Sequence, residues 1–337
     1  MKVAIVTNKM IIGGVEKALI NLLKKKKYGT DIDLYLFDVS GDWMDNIPNY
    51  VNVVKVDSSV KKINLISYAK LKLSKKYPKK CFYSSKIYPI NNVKYDLAIS
   101  YHAPCSMPVF YTIHNIKARN YILYIHGDVI KTKSNTKFMY NIYKKYNEIK
   151  CVSKDAHIVF KKTFPQLKSV IEHNIIDIEE IKNLGSEPCS TIDNSCYSIV
   201  TVGRLSEEKG IDLAIECLEY LLLHNYKIKW YVIGEGEKRA ELEKLIQEKN
   251  LEGWFTLIGQ DDNPYKYMAK CDLYVQPSRH EGYCLTLAEA LVLERKIVCT
   301  EFAGAFEQIE EGKNGYIVKF DKNSLANKIS DIYKAKK

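Results

Sequence analysis

The chain predicts an α/β protein made of two doubly wound parallel-sheet domains. Three observations predict it. Short apolar runs alternate with helix-period segments along the chain. The alternation falls into two blocks, parted by an irregular stretch at residues 183–197 that holds Gly185, Pro188 and several Ser, Asp and Asn residues. A length of 337 residues, 46% of them hydrophobic, is enough for two domains with packed cores.

In the first block, residues 3–6, 34–37, 97–100 and 121–125 predict buried strands, and residues 16–26 predict a helix. In the second, residues 198–202, 230–233, 255–258, 273–276 and 296–299 predict strands. Residues 211–224, 239–248 and 285–293 predict the helices between them. The expected domains are 1–180 and 181–320, with 321–337 as a closing helix that could pack back on the first domain. Ligands of such sheets bind outside the carboxyl ends of the strands, so two facing domains would hold one in the cleft between them.

Charge is unevenly placed. Residues 1–180 carry 30 Lys+Arg against 15 Asp+Glu, and the rest carry 21 against 25, within a net +11. A basic half fits nucleic acid, an anionic membrane or a phosphorylated substrate, and charge alone does not choose. Nine cysteines without a CxxC pair read as free thiols of a reducing compartment, and His and Cys do not cluster at zinc-ligand spacing. The start at Met1-Lys2 lacks the apolar length of an export signal, and no run approaches a spanning helix. A cytoplasmic protein is expected, with the option of a peripheral place on the inner membrane face.

The segment from Arg279 to Ala290 follows the strand at 273–276 and a turn at Pro277. A helix is expected to start near Gly282. Its unpaired amides at Tyr283, Cys284 and Leu285 would form an anion site with the helix dipole, and Gly282 would let a ligand come close. Glu281 and Glu289 lie eight positions apart, roughly 12 Å along a helix axis. That excludes a close acid/base pair. It suits the two ends of an extended ligand, such as a nucleotide sugar with its diphosphate between. A capping acid and a surface glutamate would give the same pattern.

Arg204 and Lys209 sit in the loop after the strand at 198–202, where two cations could neutralise a diphosphate leaving group. Gly234 and Gly236 form a strand-end turn suited to a base or ribose approaching the backbone. Gly13 and Gly14 form a glycine loop after the first strand, without the dinucleotide fingerprint or the phosphate-loop motif. His126 follows the strand at 121–125 and could hydrogen-bond a sugar hydroxyl or the reacting phosphate.

Together these segments resemble the retaining family-four glycosyltransferases, which have the GT-B fold of two facing Rossmann-like domains. The resemblance covers nearly the whole chain and is strongest at residues 199–318. It is carried by Glu281 and Glu289 with seven residues between, by Gly203-Arg204-Leu205 with Lys209-Gly210, by Gly234-Glu235-Gly236, by residues 170–177, and by Gly13-Gly14-Val15-Glu16. It implies that Glu289 binds the ribose hydroxyls and Glu281 the donor sugar. It further implies that Arg204 and Lys209, with amides near 283–285, bind the diphosphate, and that His126 contacts the donor sugar beside the reacting carbon. It implies retention of configuration by front-face attack, and no metal or other cofactor. Three positions depart from the family: Tyr283 where Phe is common, Cys284 where Gly is common, and Ala303-Gly304 for a glycine pair before Glu307.

The expected activity is transfer of a hexose or N-acetylhexosamine from a UDP-sugar to a glycan or lipid-diphosphate-linked acceptor in bacterial surface-polysaccharide (capsule) synthesis. A nucleotide-sugar epimerase on the same fold, or a non-catalytic partner subunit, are the alternatives. Residues 58–95 hold ten Lys and no Asp or Glu, with apolar residues interleaved. The segment 61–94 therefore fits contact with an anionic membrane surface. Nucleic acid is not expected, since no binding module is present.

Overall fold

The computed structural model describes residues 1–56 and 92–336. All but the last three residues of the basic segment 61–94 lie outside that range. The chain divides into two compact units, Met1–Ile175 and Ile176–Lys337. Each unit is a parallel α/β sheet of the doubly wound, Rossmann-like kind that the sequence predicts.

The first unit is a parallel sheet of seven strands in the order β3-β2-β1-β4-β5-β6-β7. They are β1 (Val3–Thr7), β2 (Ile32–Leu36), β3 (Val51–Lys55), β4 (Lys94–Ala103), β5 (Lys117–Ile125), β6 (Glu148–Cys151) and β7 (Val170–Ile171). Every residue of β1 is buried, which is why it reads as an unbroken apolar run. Helices α1 (Gly14–Lys24), α2 (Met107–Asn115), α3 (Lys137–Tyr143) and α4 (Lys154–Thr163) follow the strands. One core gathers Phe110, Tyr143, Phe160 and Phe164; another gathers Val6, Tyr35, Tyr95 and Tyr111. The strand order reverses between β1 and β4, so the switch point of this sheet lies there.

The second unit is a six-stranded parallel sheet in the order β10-β9-β8-β11-β12-β13. Its strands are β8 (Tyr197–Val202), β9 (Ile228–Ile233), β10 (Phe255–Gly259), β11 (Leu273–Gln276), β12 (Ile297–Thr300) and β13 (Tyr316–Val318). Helices α5 (Ile178–Gly185), α6 (Ile211–Leu223), α7 (Arg239–Glu248), α8 (Tyr265–Lys270), α9 (Leu285–Val292), α10 (Ala303–Gln308) and α11 (Lys322–Lys336) cover both faces. Trp230 anchors the core: its indole donates to Thr201 Oγ1 at 3.0 Å, and Thr201 donates to Val275 O at 2.6 Å. This sheet's switch point lies between β8 and β11.

The division between the units falls at 175/176, ahead of the expected 180/181. The reason is α5. Asp177 caps it by accepting from the Glu180 amide at 3.3 Å, and Ile181 enters the core of the second unit. Gly185 belongs to this helix and not to a linker. A Cβ there would meet Leu293 Cδ2 at 2.8 Å, so the glycine lets α5 pack closely. The closing helix α11 buries Leu325, Ala326 and Ile329 in the core of the second unit.

Candidate functional site

Two loops meet at the switch point of the second unit. The loop after β8 ends in a 3-10 turn, Glu207–Lys209, and the loop after β11 carries residues 277–284. The Lys209 ammonium donates to the Glu281 carboxylate, which also accepts from Ser278 Oγ at 2.9 Å. Ser278 Oγ accepts from Gln276 Nε2 at 2.9 Å, and Gln276 Oε1 accepts from Tyr274 OH at 2.6 Å and Thr286 Oγ1 at 3.0 Å. Glu281 is thus held by a chain of bonds running from β11 to the first turn of α9.

The pair is largely out of water, with side-chain exposures of 21% for Lys209 and 13% for Glu281. Burial alone would lower the lysine pKa. The Glu281 charge, Cys284 and the hydrogen bond to Glu281 together outweigh burial and the opposing Arg204, and the net displacement is upward. Arg204 itself is exposed. Arg204, Glu281 and Cys284 are therefore electrostatic neighbours of Lys209.

Arg279 locks the two loops together. Its amide donates to Glu208 O at 2.8 Å, and Nη1 donates to Glu207 O at 2.8 Å and Asp212 Oδ1 at 2.7 Å. Nη2 closes a bidentate pair on Asp212 Oδ2, and the guanidinium lies 4.8 Å from the Phe320 ring centre. Sequence reading missed Arg279, because its hydrogen-bond partners lie more than 60 residues away and no local spacing links them.

The helix start differs from expectation. α9 begins at Leu285, and Cys284 is its N-cap in a left-handed conformation, φ +63°. The amides without a partner inside the helix are those of Cys284, Leu285, Thr286 and Leu287, so of the expected set Cys284 and Leu285 belong to the helix start and Tyr283 does not. Glu281 and Tyr283 are held elsewhere: Glu281 by Lys209, and the Tyr283 carbonyl by the Gln308 amide. Gly304 presses on the same point, where a Cβ would lie 2.5 Å from Tyr283 O. Cys284 occupies a backbone state that favours glycine, and burial pushes its thiol up to about 12. Because residues 281–284 are not helical, the axial spacing expected between the two glutamates does not hold. Glu289 lies about one turn into α9, buried, and accepts from Tyr265 OH at 2.8 Å.

Gly234 and Gly236 serve close approach of backbone to backbone. A Cβ on Gly234 would lie 2.0 Å from Gly203 O, and one on Gly236 would lie 2.3 Å from Leu205 O. Gly234 also has φ +151°. These glycines press the β9 loop against the β8 loop that carries Arg204. Gly282 lies in the bend between Glu281 and Cys284.

In the first unit, Gly13 is the N-cap of α1 and Gly14 its first residue. Gly13 is extended at φ −170°, a state any residue adopts. His126 follows β5, its ring centre 4.8 Å from that of Tyr101 and 6.2 Å from that of Tyr124. Burial, with His102 adding to it and a backbone bond to Tyr101 opposing, pushes its pKa down to about 3. The imidazole is neutral at physiological pH. His102, at the end of β4, is a neighbour that sequence reading left unassigned.

Residues 190–337 match the family model of glycosyl transferases group 1. A Campylobacter jejuni protein, N-acetylgalactosamine-N,N'-diacetylbacillosaminyl-diphospho-undecaprenol 4-alpha-N-acetylgalactosaminyltransferase, is 37% identical over 160 residues, 47% of this chain and 42% of its own length. The Staphylococcus aureus poly(ribitol-phosphate) alpha-N-acetylglucosaminyltransferase is 33% identical over 133 residues, 39% of this chain and 27% of its own. The chain thus spans less than half the length of these two relatives. The structure of Anabaena HepE in complex with UDP-glucose superposes with a TM-score of 0.73 at 19% identity, over 100% of this chain and 90% of that one. That likeness is one of fold. Among the described residues, no cluster of three or more His, Cys, Asp or Glu is placed to hold a metal ion, and no helix is long and apolar enough to cross a membrane. The eight cysteines among them are free thiols.

Proposed function

We propose that the chain is a retaining glycosyltransferase that moves a hexosyl or N-acetylhexosaminyl group from a UDP-sugar to a lipid-linked glycan of a bacterial surface polysaccharide. The observation that carries the reading is the pairing of Lys209 with Glu281 at the switch point of the second unit, beside Arg204 and the start of α9. The family match over the same unit and the named activities of the relatives support it.

In this reading the diphosphate takes its positive partners from Lys209, Arg204 and the first-turn amides of α9. Those groups stabilise the leaving UDP as charge builds on it. Glu281 receives hydroxyls of the transferred sugar and Glu289 those of the ribose. His126, neutral, donates to or accepts from the sugar near the reacting carbon. No metal is assigned a part, so chelation with EDTA leaves the rate unchanged. The basic segment 61–94 holds the enzyme to an anionic bilayer. Flotation with liposomes tests this, and equal recovery with and without anionic lipid sinks it.

A thermal-shift screen of nucleoside diphosphates and their sugars tests the donor assignment. Stabilisation by UDP and UDP-sugars is expected, followed by UDP release in the presence of acceptor lipid. Silence toward every nucleotide, or conversion of the donor alone into a different sugar nucleotide, would overturn it.

A further inference from the structure

Three buried polar side-chain atoms of the first unit without a hydrogen-bond partner stand where its strand order reverses. Strands β1, β4 and β5 are adjacent, and the reversal falls between β1 and β4. At their carboxyl ends stand Thr7, which closes β1, His102, one residue before the end of β4, and His126, directly after β5. Thr7 Oγ1, His102 Nδ1 and His126 Nε2 are each shut off from solvent with no hydrogen-bond partner. A buried polar atom in that state costs about 1–3 kcal/mol, and native folds retain few. Three on one rim, at the place where doubly wound sheets bind ligands, call for a ligand-based reason.

The geometry narrows what that ligand is. The His126 amide donates to Ala103 O at 3.3 Å, so the two histidines sit on neighbouring backbones. His102 acts electrostatically on His126, and the Tyr101 and Tyr124 rings fix the imidazole from the side. Burial favours the uncharged form of both rings. A neutral imidazole presents one N–H donor and one bare nitrogen acceptor. A hydroxyl is likewise both donor and acceptor, whereas a phosphate or carboxylate would need cations that these rings do not supply.

We propose that His102 joins His126 as a binding residue for the hydroxyls of a glycosyl ring at the carboxyl edge of the first sheet, with Thr7 on the same rim. The resemblance gives His126 a sugar contact; His102 and Thr7 are new to the site. The proposal rests on the glycosyl-transfer reading and names its sugar-reading residue. The ring belongs either to the donor or to the acceptor, and the chemistry is the same.

The test uses the full chain with His102→Leu, with His102→Ala as a second variant needing no extra room, and with His102→Gln to restore a hydrogen-bonding end. One calorimetric arm compares UDP with UDP-glucose and UDP-N-acetylglucosamine. The other adds methyl α-glucoside or methyl N-acetyl-α-glucosaminide to the UDP-bound chain, read by saturation-transfer NMR. Affinity for UDP should stay within about twofold, while binding of a glycosyl ring falls roughly tenfold, the equivalent of one lost hydrogen bond. Gln should recover part of it. A loss in the first arm assigns the ring to the donor, and a loss confined to the second assigns it to the acceptor. The proposal is overturned if Leu and Ala bind every sugar like wild type, or if they lose UDP to the same extent. It is overturned too if wild type gains nothing from either sugar. Failure of wild type to bind UDP or any UDP-sugar would instead strike the glycosyl-transfer reading, and the UDP control separates the cases.

Discussion

Replacing Glu281 by Gln tests whether the buried pair is real. The change keeps the side chain's size and its bond from Ser278, and it removes the charge facing Lys209. Breaking a buried pair from one side costs about 3–5 kcal/mol. Lys209 retains 21% exposure, and a Gln oxygen can still accept from it, so we expect about 2–3 kcal/mol. In a unit of this size that is a fall in Tm of about 5–10 °C. Lys209→Met alone should cost less, because Glu281 keeps the bond it accepts from Ser278 Oγ. The double variant buries no unpaired charge and should be more stable than Glu281→Gln, with a coupling of about 1.5–2.5 kcal/mol in the cycle. Urea unfolding followed by tryptophan fluorescence is the assay. Trp230 and Trp254 report the second unit, and a Trp43→Phe background silences the first. The sign with pH follows from the raised Lys209 pKa. Its contribution is complete below the unfolded lysine value and is lost only as pH climbs through the higher folded one. Coupling under about 0.5 kcal/mol at pH 7 would refute the pairing.

Glu289→Gln should raise the donor KM about tenfold with little change in kcat; Tyr265→Phe, which removes the 2.8 Å bond to that carboxylate, should shift KM the same way by less. Gly234→Ala places a Cβ 2.0 Å from Gly203 O and should lower Tm sharply or abolish soluble yield, whereas Gly127→Ala, with nothing within 4 Å, should be neutral in the same melt. His126 has a folded pKa of about 3, below its unfolded value, so its neutral form supports stability fully above about pH 6.5. That support is lost as pH falls from there toward 3, and His126→Phe should flatten the acid limb of a pH-melt series for the first unit.

Legibility followed burial and sequence distance. β1, β8 and β11 are buried at every position, so their apolar runs announced them. β3 is mostly exposed and β13 has three residues, so neither left a pattern. The short helices α8 and α10, six residues each, fall below the length at which a helical period can be counted. At the site, the residue types were legible and their bonds were not. Lys209 and Glu281 are 72 residues apart in sequence. Nothing local says that the cation meant for a phosphate is held by the carboxylate meant for a sugar. The glycines misled for a related reason. Gly234 and Gly185 are small because another part of the protein lies against them, and a one-dimensional reading assigns that space to a ligand or a loop.

The Lys209–Glu281 pair also bears on how the proposed donor would be received. Two opposite charges are buried together, so the site carries less net charge than either residue alone would give it, and each partner is already oriented. The Arg279 clamp fixes the loops from behind, through bonds to Glu207, Glu208 and Asp212, so the pair is set by backbone and not by two flexible side chains. An arriving diphosphate would compete for Lys209 with an acceptor of greater charge. As Lys209 turned toward it, Glu281 would give up one bond and gain free lone pairs for a sugar hydroxyl, while keeping the 2.9 Å bond from Ser278. Phosphate and sugar recognition are then coupled, and UDP alone leaves Glu281 without its compensation. It follows that Glu281→Gln should weaken UDP less than it weakens a UDP-sugar. Equal losses for the two ligands in calorimetry would mean that the carboxylate serves only to hold the lysine.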